Sequence, residues 1–326
     1  MSADDTERSG PVVSILLPSY NHARYVEEAI RSIWAQTYPH VELVVVDDGS
    51  RDESPDIIRR LAAESPIPMR VLIKENEGVA RTLNRAFALA SGKYIGFFAS
   101  DDRLLPNHVA TLVEVLEHAP ADVAIAYGDV YALDAQGRRA DRLLRGTDPR
   151  SGRIFEDLLL RRFMFSGLAA LMRSEVFRAV GGYNERSRLD DWELFVRATR
   201  EHSVVYVDEV LAEYREHAGP RLNQQVDRFV PDWLRVFDEA TRDYPPARTR
   251  AWMQRARAHT YHYIGHHYYN VRDMPNARRW FRRSVAAFPL HGRTWNLLLR
   301  ASLGRAVVER ASALMGRFRR PLPGAE

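Results

Sequence analysis

Short apolar runs that end in polar clusters constrain this chain more than any other feature. Val12 to Leu17 (VVSILL) stops at Pro18-Ser19-Tyr20-Asn21. Val41 to Val46 (VELVVV) stops at Asp47-Asp48-Gly49-Ser50, and Tyr94 to Phe98 runs into Ser100-Asp101-Asp102. A fourth run, Met69 to Ile73, lies between the last two. Runs this short, and rich in branched aliphatic residues, predict strands buried on both faces. Apolar residues at helical spacing fill the gaps, within Arg24 to Gln36, Ser54 to Ala63 and Gly78 to Ala90. The alternation predicts an α/β fold with a mostly parallel, Rossmann-like central sheet flanked by helices. Such folds bind ligands outside the carboxyl ends of their strands. The three polar clusters stand at those ends and are expected to meet on one edge.

Further along, the pattern loosens. Asp122 to Tyr127, Gly167 to Met172 and Val204 to Val207 read as strands, and Ser174 to Val180 as a short helix stopped by Gly181-Gly182. Asp190 to Arg200 reads as a helix whose two leading acids suit its dipole. From about Val226 the pattern is helical. The expected organisation is a flexible N-terminus over residues 1–11, an α/β domain over 12–225, and a basic helical C-terminal region over 226–326. In that region Tyr261, Ile264, Gly265, Tyr268, Ala277, Phe281 and Pro289 fall near the positions of a tetratricopeptide-like helix pair.

Asp101 and Asp102 are adjacent carboxylates directly after a buried strand. Side by side they repel each other unless a cation lies between them. A hard divalent ion shared between carboxylates and phosphate oxygens suits that arrangement. The structural alternative is that Asp102 caps a turn before Pro106. Asp47 and Asp48 carry the same ambiguity, because an Asp-Gly-Ser turn uses an aspartate for its own geometry. The chain has no cysteine, which excludes disulfides, thiol catalysis and cysteine-based zinc sites.

The ordered set is more specific than its parts. PSYN, VDDGSRD, NEGVARTLN and FFASDD, in that order after four strands, closely resemble the family 2 glycosyltransferases, which have the GT-A fold. The resemblance spans roughly Val12 to Asn223. It implies an inverting transfer of a sugar from a nucleoside-diphosphate sugar. It places Pro18, Ser19, Tyr20 and Asn21 along the base and ribose, and gives Asp47 or Asp48 a hydrogen bond from the base. It sets Asn76, Gly78 and Arg81 near the ribose and phosphates, with Ser100 and Asp101 in the same nucleotide site. FFASDD resembles the family's metal-binding motif, so Asp101 and Asp102 are the implied ligands of Mn²⁺ or Mg²⁺. Ala99 departs from the pattern, standing where the family commonly has a first aspartate. Farther on, LDDWELFVR resembles a second acidic motif, in which Asp191 matches the catalytic base and Asp190 stands where glutamate is common. Tyr214-Arg215-Glu216-His217 resembles a Tyr-Arg-x-His motif, implying His217 as a metal or diphosphate contact and Arg215 as a phosphate contact.

The implied chemistry needs such a base. The acceptor hydroxyl becomes acidic as the new bond forms, and a carboxylate of ordinary pKa, about 4, takes the proton late. General base catalysis of this kind contributes roughly 10²–10⁴-fold. The expected donor is a UDP-sugar, with dTDP- or GDP-sugars as alternatives. By the family's habit, the acceptor is a hydroxyl of a glycan or lipid-linked precursor in cell-surface polysaccharide biosynthesis. Ala99 motivates a rival reading, a degenerate non-catalytic nucleotide-sugar-binding or scaffold protein.

Net charge is +4, yet Asn276 to Glu326 holds eleven arginines against two acids. That distribution suggests an anionic partner, and Arg305 to Arg320 is expected to lie on an anionic membrane surface. No nucleic-acid-binding motif is present, so no nucleic acid is expected. The N-terminus is acidic and polar, unlike a signal peptide, and no apolar run reaches the ~18 residues that span a bilayer. The expected location is cytoplasmic, peripheral on the inner face of the membrane.

Overall fold

The structure is a computed structural model that describes residues 10–134, 137–144, 148–188, 190–215, 226–244 and 250–302. The chain divides into two compact units, residues 1–219 and 220–326.

In the first unit the four apolar runs form β1 (Val13–Ser19), β2 (Val41–Asp47), β3 (Met69–Ile73) and β4 (Tyr94–Phe97). They pair in parallel in the order β3-β2-β1-β4. Every residue of β2 is buried, as expected for a strand covered on both faces. The connecting helices are α1 (Val26–Trp34), α2 (Ser54–Glu64) and α3 (Val79–Leu89). α1 buries Val26, Ala29, Ile30 and Ile33 in the core that holds Ile15, Leu17 and Val45. Ser19 stands opposite Asp47, and Asp47 opposite Ile73, so β1, β2 and β3 end level with one another.

Next come β5 (Arg103–Leu104), α4 (His108–His118), β6 (Val123–Leu133), β7 (Arg139–Arg142) and α5 (Phe155–Leu159). A 3-10 turn (Gly167–Ala169) leads into β8 (Ala170–Arg173), followed by α6 (Ser174–Ala179), α7 (Asp190–Thr199) and β9 (Ser203–Arg215). The sheet continues from β4 as β8-β6-β9-β5, with β7 on β6. β8 runs antiparallel to β4 and β6, while β9 runs parallel to β6.

Three sequence expectations change here. Gly167 to Ala169 is a 3-10 turn, held by the Leu168 N–H donating to Ser166 Oγ, so the strand begins only at Ala170. The strand read as Val204 to Val207 runs on to Arg215, because β6 and β5 pair with it past the acids that interrupt its apolar pattern. Those acids face polar partners: Asp208 accepts from Arg142 and Glu209 from Asn107. Finally, α4 buries Val109, Leu112, Val113 and Leu116 at helical spacing that the sequence reading passes over.

The second unit contains α8 (Val226–Thr241), α9 (Arg250–Asn270), α10 (Met274–Ala287) and α11 (Gly292–Ser302). Asp273 caps α10 by accepting from Asn276 N. Gly265 lets α9 approach α10 closely, since a Cβ there would lie 2.7 Å from the Phe281 ring. No helix among the described residues is long and apolar enough to cross a membrane.

Candidate active site

The level strand ends carry a hydrogen-bonded platform. Asp47 is fully buried, and its two carboxylate oxygens accept from Ser50 N at 2.8 Å and Ser50 Oγ at 2.6 Å. Its place in the structure is thus that of a turn-former. Asp48 is also buried and accepts from Glu77 N at 2.8 Å, Gly78 N at 2.9 Å and the Lys74 ammonium. Burial alone would raise the Asp48 carboxyl, yet the Lys74 hydrogen bond and the main-chain donors hold it below the ordinary carboxylate range. Asp48 therefore anchors the 74–78 loop ahead of α3. Gly78 adopts φ +90°, open to glycine at little cost.

Asn21 also has a left-handed backbone, at φ 54°. Its N–H donates to Ser50 Oγ, and its side-chain oxygen accepts from Arg51 N. This ties the loop after β1 to the loop after β2. Between them opens a cavity of about 690 Å³, lined by Tyr20, Gly49, Arg51, Lys74, Glu75 and Asn76 among others. Neither Asp47 nor Asp48 lines it. Ser19 is buried, and its Oγ has no hydrogen-bond partner among the described residues. Arg81 lies on the exposed side of α3, paired with Glu185 at 3.1 Å.

A second cavity, of about 340 Å³, joins the two acidic motifs. Its walls include Pro18, Phe97, Phe98 and Ala99, with Asp102 and Asp191 both lining it. Asp102 is 4% exposed. Its carboxylate accepts from Arg215 N at 2.8 Å, which gives it a partner on the far strand β9 and not a local cap. Burial, and next the charge of Asp101, push the Asp102 carboxyl up to about 8. His22, which sequence reasoning missed, joins this corner. Its Nδ1 is 2.8 Å from Ser100 Oγ and 3.8 Å from Asp101 Oδ1. A histidine two residues past the PSY of the first loop carries no signal of its own; only the strand register brings it to Asp101.

No group of three or more His, Asp or Glu among the described residues is placed to hold a metal. Two adjacent carboxylates remain, one of them driven toward its neutral form by burial and next by the charge of the other. A divalent cation relieves that repulsion, and the set of hard oxygens suits Mn²⁺ or Mg²⁺ with phosphate completing the shell. Asp101 and Asp102 thus fit such an ion. His217 lies outside the described residues, as do Asn223, Arg305 to Arg320 and the side chain of Asp190.

Asp191 stands in the first turn of α7, a helix anchored by buried Trp192, Leu194, Phe195 and Val196. Trp192 Nε1 donates to Leu158 O at 2.8 Å. Asp191 is exposed as a residue, on the cavity wall, although protein crowds its carboxyl. That crowding pushes the carboxyl above the ordinary range assumed from sequence, and a hydrogen bond from Tyr183 Oη, at 2.9 Å, draws it partly back.

The chain matches the family model described as glycosyl transferase family 2 over residues 14–181. A PGL/p-HBAD biosynthesis glycosyltransferase of Mycobacterium bovis is 32% identical over 217 residues, 65% of this chain and 79% of that protein. An uncharacterized glycosyltransferase of Rickettsia prowazekii is 29% identical over 240 residues, 72% of this chain and 74% of the relative. Another, from Rickettsia conorii, is 32% identical over 213 residues, 64% of this chain, and the match spans only 34% of that longer relative. Among solved structures, S. aureus TarS 1-349 in complex with UDP-GlcNAc superposes with a TM-score of 0.63 at 16% identity, covering 89% of this chain and 84% of TarS 1-349. The mannosyltransferase PcManGT from Pyrobaculum calidifontis, in complex with GDP-Man and Mn²⁺, gives 0.58 at 21% identity, covering 91% and 87%. The structural likenesses carry the fold, and the family match runs through all four parallel strands and the Asp101-Asp102 pair, stopping short of α7. On that ground the chain, with its GT-A fold, belongs to glycosyltransferase family 2.

Proposed function

We propose that the chain moves a sugar from a nucleoside-diphosphate sugar to an acceptor hydroxyl in one inverting displacement, with Asp191 as the base. One observation carries the reading: Asp102, between β4 and β5, and Asp191, in the first turn of α7, line the same cavity. Leaving group and acceptor thus meet carboxylates of different character. Asp101 and Asp102 would hold Mn²⁺ or Mg²⁺, which supplies Lewis-acid stabilisation of the departing diphosphate's charge. Asp191 removes the acceptor proton. Its raised affinity for a proton makes it a stronger base than an ordinary carboxylate. The nucleoside lies in the larger cavity, between Tyr20 and Asn76, with Lys74 and Arg51 supplying positive charge. Asp48 serves this cavity indirectly by fixing Lys74.

UDP-GlcNAc and GDP-mannose are the first donors to test, since the two solved relatives hold them. We extend the proposal to a glycan or lipid-linked acceptor, and we place the protein at the inner face of the membrane through its arginine-rich end. The test is donor hydrolysis and thermal shift with UDP-GlcNAc and GDP-mannose, with and without Mn²⁺, on wild type, Asp101→Ala and Asp191→Asn. Metal-dependent stabilisation lost in Asp101→Ala, with binding but no turnover in Asp191→Asn, is the expected result. If neither donor binds with or without metal, the enzyme reading fails and the scaffold reading, motivated by Ala99, replaces it.

A further inference from the structure

We infer that Tyr183 is a positioning residue for Asp191, setting both the place and the proton affinity of the catalytic carboxylate; this rests on Asp191 being the base. Tyr183 is 2% exposed, and its hydroxyl donates to Asp191 Oδ1 at 2.9 Å. A buried phenol that spends its proton on a carboxylate favours the charged form of that carboxylate.

The phenol is itself held from several sides. Its main chain is clamped by Asn84 of α3, whose amide nitrogen donates to Tyr183 O at 3.0 Å and whose oxygen accepts from Tyr183 N at 2.9 Å. Gly181 and Gly182, at φ +80° and +67°, turn the chain sharply after α6 to reach that clamp. Gly182 is also needed for space, because a Cβ there would lie 2.7 Å from Asn84 Oδ1. The ring packs edge-on against Phe97, at 5.4 Å between centroids, and against Phe177 at 5.7 Å. Phe97 ends β4 just ahead of Ala99 and lines the same cavity as Asp191. Tyr183 therefore links the α3 helix and the metal-motif strand to the carboxylate on α7.

The other charged groups around α7 are occupied elsewhere. Glu193 accepts from Asn184, Arg197 donates to the carbonyls of Val180 and Gly182, and Arg161 stacks over the Trp192 ring. Glu185 takes Arg81 and Asn84, and Asp102 lies on the other wall, bonded to Arg215 N. Among the described residues no cation forms an ion pair with Asp191, so the phenol is the polar group that opposes the effect of crowding.

The test is a carboxyl ¹³C NMR titration of the full-length protein, with the Asp191 signal assigned by its loss in Asp191→Asn. In Tyr183→Phe the Asp191 midpoint is expected to rise by about one pH unit, a tenfold gain in proton affinity. The acid limb of turnover of UDP-GlcNAc or GDP-mannose should move up by the same amount. A midpoint that stays or falls overturns the inference, since a merely structural tyrosine would lower the melting temperature without moving it. Should Tyr183→Phe fail to fold, 3-fluorotyrosine placed at position 183 is a stronger donor of similar size. It should lower the midpoint, and an unmoved midpoint overturns the inference equally. Full turnover by Asp191→Asn would instead remove the base assignment, a separate failure read from a separate variant.

Discussion

The main-chain N–H of Arg215 donates to the Asp102 carboxylate at 2.8 Å, joining residues 113 apart in sequence. The same arginine's Nε donates to Asp101 O at 3.0 Å and its Nη2 to Glu28 at 2.8 Å, with the guanidinium over the Tyr25 ring. The end of β9 thus fastens the acidic pair to α1. Arg215→Ala keeps the main-chain bond and loses the rest. It should cost about 1–3 kcal/mol in urea unfolding, the scale for hydrogen bonds to a charged group. Arg215→Lys keeps the charge but not the planar fork, and is expected to recover less than half of that loss. Equal stability of all three proteins would show that the latch contributes nothing.

The Asp102 carboxyl has opposite pH consequences for stability and for the metal binding proposed at this residue. Its value is about 8 in the folded chain against the ordinary 3.8, so the folded state retains a proton that the unfolded state has released. The stability from this group is fully present below pH 3.8 and lost as pH rises through about 8. Metal-free wild type should therefore lose stability relative to Asp102→Asn as pH climbs through that window. Mn²⁺ needs the deprotonated form, so its apparent affinity should rise with pH up to about 8, with a proton released on binding. Calorimetry in buffers of different ionisation enthalpy reads that proton directly. Its absence near pH 7 would show that the metal does not bind at Asp102.

His108 works in the other direction. It is 1% exposed, with Nδ1 3.2 Å from Leu211 O, and burial pushes it down from 6.5 to about 4. The unfolded chain takes up a proton first, so this stability is present above pH 6.5 and is lost as pH falls toward 4. The full contribution is on the order of 3 kcal/mol. His108→Gln should flatten the acid side of a stability–pH curve, leaving the slope between pH 4 and 8 from Asp102 in place. An unchanged acid limb in His108→Gln would assign acid unfolding to other groups.

The parallel half of the sheet was legible because its strands are buried on both faces, and continuous apolar runs such as Val41 to Val46 leave little choice of structure. The ordering of polar clusters then follows from register. Less legible were contacts whose two ends lie far apart in sequence. Nothing near His22 announces Ser100, and nothing near Tyr183 announces Asp191 except the turn that two glycines permit. The carboxylates of Asp47 and Asp48 look alike in sequence, yet one closes a turn on Ser50 and the other anchors the loop of Lys74 and Gly78. The full length of β9 is hidden in the sequence because Asp208 and Glu209 break its apolar pattern while hydrogen bonding continues past them.

Gly167 sets the other limit on Asp191, the proposed base. A Cβ at this position would lie 3.0 Å from Asp191 Oδ2 and 3.2 Å from Phe195 Cζ. Asp191 is thus confined by Tyr183 at one oxygen and by the 3-10 turn at the other. The Phe195 ring is buried and packed at a tilt against Phe165, at 4.6 Å between centroids, so it has little room to give way. In Gly167→Ala the carboxylate must therefore move by a few tenths of an ångström, away from the turn and into the cavity. Misplacement of a reacting group on that scale lowers the chemical step, here by roughly 10–100-fold in kcat. The proposed nucleoside site, lined by Tyr20, Lys74 and Asn76, lies on elements that the substitution does not touch, so KM for UDP-GlcNAc or GDP-mannose should stay within about threefold. Overpacking should cost about 1–2 kcal/mol of stability. Steady-state kinetics beside a urea melt separates the two effects. A kcat equal to wild type, with the stability loss present, would mean that the shifted carboxylate takes no part in the rate-limiting step.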